Sequence, residues 1–352
     1  MKKSLKGVQS VNGKPRPLAL ILTDTHLHKN NIELVKDIFK QAVVICKEKK
    51  IKYIFHLGDF FQSREAQPLL VLKEAKDILS NIAASEIKLF IIPGNHDKTD
   101  LESTVSYLTP LDKCNHELLS QETYRDFGNL RTIWLPFFKE NGSYARRLES
   151  ASKMIKSGSK NILLTHVGIS GIRNNDGSIV DNAINTDLFK KFDKIFTGHY
   201  HDPQECDNIF YIGGAFQQNY GENGFKGFTI LSNDGFHSFI QSNFSKFIKK
   251  KINIEDKEEL FNFEKKYKNS KDNIRIILTG EKTKLQAFKK ENLQDLGFDV
   301  KFENDILNNN IDINNEIIVF DRSNIKVAFD KFIEINQIKD KEFGLHFLEK
   351  IL

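Results

Sequence analysis

A four-layer α/β/β/α sandwich followed by a small α/β module is the architecture that the 352-residue sequence predicts, and three observations carry it. Five short runs of branched apolar residues each end in a cluster of Gly, Asp, Asn or His, which reads as buried strands delivering polar ends to one edge. Between the first three runs lie two segments with helical apolar spacing, so these strands belong to parallel β-α-β units. After residue 201, short apolar segments separated by turn residues read as antiparallel strands completing a second sheet.

In chain order, residues 1 to 17 are polar and end in Pro15-Arg16-Pro17, which reads as a loose lead-in that cannot extend a sheet. Leu18 to Leu22 is the first strand and breaks into Thr23-Asp24-Thr25-His26-Leu27-His28. Ile32 to Glu48 has the apolar spacing of a helix, Ile51 to Leu57 is a strand ending in Gly58-Asp59, and Pro68 to Ala83 is a second helix. Ile87 to Ile92 then feeds Pro93-Gly94-Asn95-His96-Asp97. Thr99 to Leu119 reads as partly helical, Leu130 to Leu135 as a strand and Ala145 to Ile155 as a helix. Asn161 to Leu164 ends in Thr165-His166, and Lys194 to Phe196 ends in Thr197-Gly198-His199-Tyr200-His201. Between them the glycine-bearing segment from Gly168 to Asp181 reads as a long irregular loop beside the site. Phe210 to Gly213, Gly227 to Leu231 and His237 to Gln241 are the expected antiparallel strands.

From about Ser245 the character changes. Lys246 and Lys249 to Lys251 open a basic stretch, which reads more readily as a solvated face than as a phosphate contact. Asn273 to Leu278, Thr283 to Leu296 and Phe298 to Phe302 read as strand, helix and strand of a small module, and Asn304 to Asn315 as a linker, with Ile317 to Phe320 able to add one strand. Ile325 to Leu352 carries the stripe of an amphipathic helical pair, which fits a partner or the chain's own core equally well. The expected units are therefore residues 1–245, 246–305 and 306–352, in keeping with single cores that rarely exceed about 250 to 300 residues.

The net charge of +5 is spread along the chain, so it permits a polyanionic partner without requiring one. Cys46, Cys114 and Cys206 lie far apart and form no CxxC pair, which argues against a thiolate zinc site or disulfide scaffold and fits a reducing compartment. No run approaches the roughly 20 apolar residues of a membrane span, and the N-terminus lacks a signal-peptide core. The expectation is a cytoplasmic protein, bacterial or of a phage-infected host, without a membrane partner.

The polar strand ends collect Asp24, His26, Asp59, Asn95, His166, His199 and His201. Imidazole suits Zn, Mn and Fe, and carboxylate oxygen suits Mn and Mg; this set is too large for one tetrahedral ion, so two metals are expected. A lone histidine at a strand end is ordinarily a surface or capped residue, which is the reading for His28, His116, His237 and His346, while His56 reads as a hydrogen-bonded core histidine.

Asp24-Thr25-His26, Gly58-Asp59, Gly94-Asn95-His96-Asp97, His166 and Gly198-His199-Tyr200-His201 resemble, in order, the blocks of the calcineurin-like metallophosphoesterase superfamily. That resemblance implies the same four-layer fold, one metal on Asp24, His26, Asp59 and His201, and another on Asp59, Asn95, His166 and His199. Asp59 would bridge, one carboxylate oxygen per ion. His96 would not bind metal but would stabilise or protonate the leaving oxygen, with Asp97 orienting its ring. Thr23 to Leu27, the stretch from Tyr211 to Glu222 and the order of the tail are similar to the SbcD-like branch of double-strand-break repair nucleases, including a phage recombination endonuclease subunit. This likeness implies Mn2+-dependent hydrolysis of DNA phosphodiesters, with Mg2+ as the other candidate, an SMC-type ATPase partner and a homodimer. Gln62 stands where part of the branch carries a histidine, which leaves the balance of exonuclease and endonuclease action open; Gln62 and Arg64 are the candidate substrate contacts. Two rivals share the pattern: a phosphatase or phosphodiesterase acting on nucleotides or phosphoproteins, and a noncatalytic scaffold on the same fold.

Overall fold

The computed structural model describes residues 15–111, 116–174, 177–181 and 183–304. The lead-in up to residue 14, Cys114, His346 and the linker, short strand and helices expected beyond residue 304 lie outside the described residues.

The first sheet grows from two successive β-α-β units: β1 (Pro17–Leu22), α1 (Ile32–Glu48), β2 (Tyr53–His56), α2 (Leu69–Ala84) and β3 (Lys88–Ile91). Its three strands pair in parallel. α1 buries Val35, Ile38, Phe39, Ala42 and Cys46, and α2 buries Val71, Ala75, Ile78, Leu79 and Ile82. Both stripes recur at three- and four-residue steps, so they close on Leu20, Leu22, Ile54, Leu89 and Ile91 of the sheet. β4 (Glu117–Leu118) extends this sheet beside β3.

The second sheet comprises β5 (Thr123–Phe127), β6 (Leu130–Leu135), β7 (Lys160–His166), β8 (Lys194–Gly198), β9 (Gln204–Cys206) and β10 (Ile209–Tyr211), in the order β5-β6-β7-β8-β10-β9. α3 (Tyr144–Ser152) covers its outer face through Tyr144, Leu148 and Ala151, packed with Ile133, Leu163 and Ile195. Between the sheets, Ala19, Ile21, Phe55 and Phe90 meet Trp134, Ile162, Leu164 and Phe196. Helices on the two outer faces complete the α/β/β/α layering.

β11 (Gly227–Ser232) and β12 (His237–Gln241) correct the expected topology. They do not complete the second sheet; β11 runs antiparallel along the open edge of β1, and β12 pairs with β11. Every residue of β11 is buried, so its backbone satisfies an edge that would otherwise be exposed in the core. β10 does join the second sheet, but parallel to β8. Pro17 also differs from its reading as lead-in: it opens β1 opposite Ser232, where a register shift follows, and a first strand position asks for no ladder N–H. Among the described residues between 99 and 119 the expected helix is reduced to the single turn Thr109–Leu111. There the Ser103, Ser106 and Thr109 hydroxyls accept from the N–H groups of Val105, Leu108 and Ser106, which competes with helix formation.

The third sheet, β13-β14-β15, stands apart from the other two in its pairing. β13 (Phe247–Asn253) is followed by α4 (Lys257–Tyr267), β14 (Asn273–Gly280), α5 (Lys282–Ala287), α6 (Glu291–Asp295) and β15 (Asp299–Asn304). All three strands are parallel, around a small core containing Ile252, Ile274, Ile276, Leu278, Leu285 and Leu293. The helix expected from 283 to 296 is split into two turns by the extended backbone of Phe288. The basic stretch is itself strand β13, and Lys250 and Lys251 pair with Glu259 at 2.7 Å and Glu303 at 2.7 Å. Those two ammonium groups already have local carboxylate partners. Among the described residues no helix is long and apolar enough to cross a membrane.

Candidate metal centre

β1, β2 and β3 of the first sheet and β7 and β8 of the second end side by side, which brings all seven metal-ligand candidates to the seam between the sheets. Asp24 and His26 follow β1, Asp59 follows β2, Asn95 follows β3, His166 closes β7, and His199 and His201 follow β8. The loops are cross-tied: Asp24 N–H donates to Gly58 O at 3.0 Å and His26 N–H to Asp59 O at 3.0 Å. His199 N–H donates to Asp24 Oδ2 at 3.1 Å, joining the two sheets. Asp24, His26, Asp59 and His199 adopt positive φ of 54°, 43°, 53° and 93°, a region where each non-glycine residue costs about 1–3 kcal/mol. The surrounding fold over-determines these conformations, which aim the side chains inward.

Two donor groups result, and a nitrogen of His96 also comes within 4.8 Å of donor atoms of His26 and Asp59. In the first, His26 Nε2 lies 3.2 Å from His201 Nε2, 3.6 Å from Asp24 Oδ1 and 3.6 Å from Asp59 Oδ2. In the second, His166 Nε2 lies 3.3 Å from Asp59 Oδ2 and 3.1 Å from Asn95 Oδ1, which is itself 3.1 Å from His199 Nδ1. Donors about 2.0–2.2 Å from one cation, at tetrahedral to octahedral angles, are separated by about 2.8 to 3.6 Å. Most of these spacings match, and facing acceptors with no hydrogen between them repel unless a cation or shared proton intervenes. The residues therefore fit a pair of divalent ions. Asp59 differs from expectation in one respect: Oδ1 accepts the His96 N–H at 2.8 Å, so Oδ2 alone faces both groups. The backbone bond fixes which oxygen is shared.

Electrostatics agree with this donor set. Burial alone would raise Asp24, but the His26 hydrogen bond and the charges of His166 and His201 pull its carboxyl well below the usual range. Burial would likewise raise Asp59, and His166, His26 and His96 hold it far down. Conversely, burial acts to lower His166, but the Asp59 charge and hydrogen bond lift it to about 9. His199, beside the positive His166, is pushed down to about 3, chiefly by burial. Two carboxylates exposed by no more than 2% thus demand positive charge, which divalent cations meet while leaving the imidazoles neutral to act as ligands.

Second partners set the imidazole orientations. His166 Nδ1–H donates to Leu57 O at 2.7 Å, leaving Nε2 for the centre. His201 Nδ1 is held at 2.9 Å by Glu222 Oε1, whose other oxygen meets the fully buried Lys226 ammonium at 2.9 Å. Gln218 Nε2 donates to Asp24 O at 2.8 Å. Such outer partners fix ring orientation and are commonly worth 10- to 100-fold in metal affinity. Sequence reasoning missed Glu222, Lys226 and Gln218 in these roles; the signal was the run from Tyr211 to Glu222, read there as strand and loop. His56 is a core histidine, fully buried with Nε2 3.1 Å from Thr25 Oγ1.

Asp97 does not orient His96. Its carboxylate accepts N–H groups from Gly94 at 2.8 Å, Phe61 at 2.9 Å and Phe60 at 3.2 Å, which engages both oxygens and staples the loops after β2 and β3. Burial, with the Asp59 charge, raises this carboxyl to about 7 against those donors. His96 Nδ1–H donates instead to Gln62 O at 2.6 Å, so Nε2 is the nitrogen available to a substrate oxygen. Gln62, Arg64, His96, Asn174 and Gln218 line, with the ligand side chains, a cavity of about 410 Å³.

Glycine is required where the loops touch. A Cβ on Gly58, whose φ is +94°, would sit 2.6 Å from His166 Nδ1, and one on Gly94 would fall on the carboxyl and backbone N of Asp59. Gly94→Ala is expected to destabilise the fold by about 1–3 kcal/mol. It should also weaken Mn2+ binding by about 10- to 100-fold, because Asp59 must move; thermal melting with and without Mn2+ checks both effects.

Residues 18–203 match the sequence profile of a family described as calcineurin-like phosphoesterase. Exonuclease subunit 1 of Enterobacteria phage T4 is 26% identical over 224 residues, covering 61% of this chain and 64% of the phage protein, which is less than two thirds of its length. Among solved structures, a dimetal phosphatase from Danio rerio superposes with a TM-score of 0.46 at 11% identity, covering 62% of this chain and 93% of that one. The nuclease MPE of Pseudomonas putida gives a TM-score of 0.26 at 15% identity, covering 43% of this chain and 63% of that one.

Proposed function

Since the chain belongs to the calcineurin-like phosphoesterase family, we propose that it is a two-metal nuclease that hydrolyses DNA phosphodiesters. The observation that carries the reading is the pair of donor groups sharing Asp59 Oδ2. Asp24, His26, Asp59 and His201 would hold one cation, and Asp59, Asn95, His166 and His199 the other, with Mn2+ favoured over Mg2+ by the imidazole count. When bound, such a pair acidifies water and withdraws charge from a phosphoryl group.

The chain's own residues account for the rest. Asp24 and Asp59 anchor the ligand loops, and their burial keeps competing water from their oxygens. His96, held at Nδ1 by Gln62, presents Nε2 to the leaving oxygen and, when protonated there, donates that proton. The Arg64 guanidinium and the Gln62 amide line the same cavity and can hold a neighbouring phosphate.

The finer proposal is a nuclease subunit working in the cytoplasm. Residues 1–245 would carry the chemistry, 246–305 would place DNA, and 306–352 would dock on an SMC-type ATPase, with two copies of the chain forming a homodimer. The T4 protein's designation as an exonuclease subunit supports a partnered role.

The test is hydrolysis of end-labelled linear duplex and single-stranded DNA with Mn2+ or Mg2+. Metal-dependent shortening or nicking is expected. Hydrolysis confined to a small chromogenic diester would replace the reading with a phosphodiesterase, and metal binding without any hydrolysis would replace it with a scaffold.

A further inference from the structure

The loop from Gln217 to Glu222 touches the metal centre on one side and the β13–β15 module on the other. Toward the centre, Gln218 holds Asp24 O, and Glu222 Oε1 holds His201 Nδ1 at 2.9 Å. Asn219 Nδ2 donates to that same Glu222 oxygen at 3.0 Å, and Gln218 N–H to the other at 3.3 Å. Toward the module, the Gln217 amide pairs with the backbone of Phe247: its oxygen accepts the Phe247 N–H at 3.1 Å and its nitrogen donates to Phe247 O at 3.3 Å. That nitrogen also donates to Glu222 O at 2.8 Å, so one buried amide ties the first residue of β13 to the residue that orients a metal-facing histidine. Tyr220 adds a second tie. Its ring packs edge-on against Phe247 with centroids 5.0 Å apart, and the Arg275 guanidinium of β14 lies 4.0 Å over it, held from behind by Asp299 at 2.6 Å.

We propose that residues 217–222 form a strap that makes seating of the β13–β15 module and alignment of Asp24 and His201 a single equilibrium, with Gln217 and Tyr220 as positioning residues. The inference rests on the reading of the seam as a metal centre. The module has its own core, and modules of that kind are mobile by default unless an interface fixes them. Lifting it would break the Gln217–Phe247 pair and strip Arg275 from Tyr220, loosening the loop whose Gln218 N–H and Asn219 amide aim the Glu222 carboxylate. Linkage then runs both ways: whatever stabilises His201 in its aligned pose must also favour the seated module, by the same factor.

Arg275 lies on the module and touches no ligand residue in the contacts described, so Arg275→Ala probes the strap from its far end. Mn2+ titration calorimetry on the full chain should show one of the two sites weakened by about 5- to 50-fold in Arg275→Ala and in Tyr220→Ala. Tyr220→Phe, which keeps the ring, should bind as the parent does. Hydrogen exchange should slow across 247–253 when Mn2+ is added to the parent, and this protection should vanish in Arg275→Ala. Melting temperatures establish that each variant is folded, and Arg275→Ala carries the test should Tyr220→Ala fail to fold. Unchanged Mn2+ affinity in a folded Arg275→Ala, or exchange at 247–253 that ignores Mn2+ in the parent, overturns the coupling while leaving the metal centre intact. Failure of the parent to bind Mn2+ overturns both. Neither readout needs DNA, so loss of the nuclease reading alone would not alter them.

Discussion

Asp59→Asn is expected to reduce DNA hydrolysis by at least about three powers of ten and to lower the bound Mn2+ from two ions per chain to one. The size follows from the geometry, because Oδ2 is the one atom that faces both donor groups, 3.6 Å from His26 Nε2 and 3.3 Å from His166 Nε2. Removing its charge leaves two dications to repel one another at short range. A loss of about 4 kcal/mol in transition-state stabilisation corresponds to a thousandfold in rate. The asparagine oxygen can still accept the His96 N–H that Oδ1 now accepts, so the backbone of the loop should keep its geometry. Single-turnover hydrolysis and metal analysis of the purified variant check the two parts separately. Turnover within tenfold of the parent with two ions retained would remove Asp59 from its bridging role.

How much of this centre could be read from the chain differs from residue to residue, for physical reasons. Asp24, His26, Asp59, Asn95, His166, His199 and His201 were legible because each follows an apolar run that can only be a buried strand, and because carboxylate, amide and imidazole together are costly there without a ligand. Their left-handed backbones were not legible: only glycine adopts such a conformation freely, and an aspartate or histidine is there because hydrogen bonds from distant loops hold it. Adjacency misled at Asp97, since neighbouring side chains leave the backbone in different directions, and this one is claimed by three N–H groups from its own and the preceding loop. Glu222 and Lys226 act on His201 from more than twenty residues away, a distance local pattern does not span. The same limit explains the sheets. The α/β layering and the helix 32–48 follow from local periodicity, but an alternating run such as 237–241 carries no record of which edge it will join. Lys249 to Lys251 read as a charge run, whereas their strand register delivers Lys250 and Lys251 to glutamates of α4 and β15.

His96→Asn should separate chemistry from metal binding. General acid–base assistance is worth about 10²- to 10⁴-fold, so turnover on DNA should fall by that amount while both Mn2+ sites keep their affinity. Metal binding survives because the His96 backbone N–H, which holds Asp59 Oδ1 at 2.8 Å, is untouched by the substitution. The ring itself is pinned through Nδ1 to Gln62 O, and burial lowers its basicity, so the neutral form predominates until a proton reaches Nε2. An asparagine amide can occupy part of this space but cannot carry that proton. Leaving-group chemistry supplies the sharper discrimination. A nitrophenolate departs without help, whereas the sugar alkoxide of DNA does not, so a nitrophenyl phosphodiester should lose little activity in the variant. If both substrates fall equally, His96 acts on the attacking side or on the architecture of the loop. If Mn2+ affinity falls with them, the grouping of His96 with His26 and Asp59 reflects metal binding by the ring. A defect confined to the alkoxide leaving group assigns His96 to the departing oxygen and leaves the attacking side to the residues around Asp59.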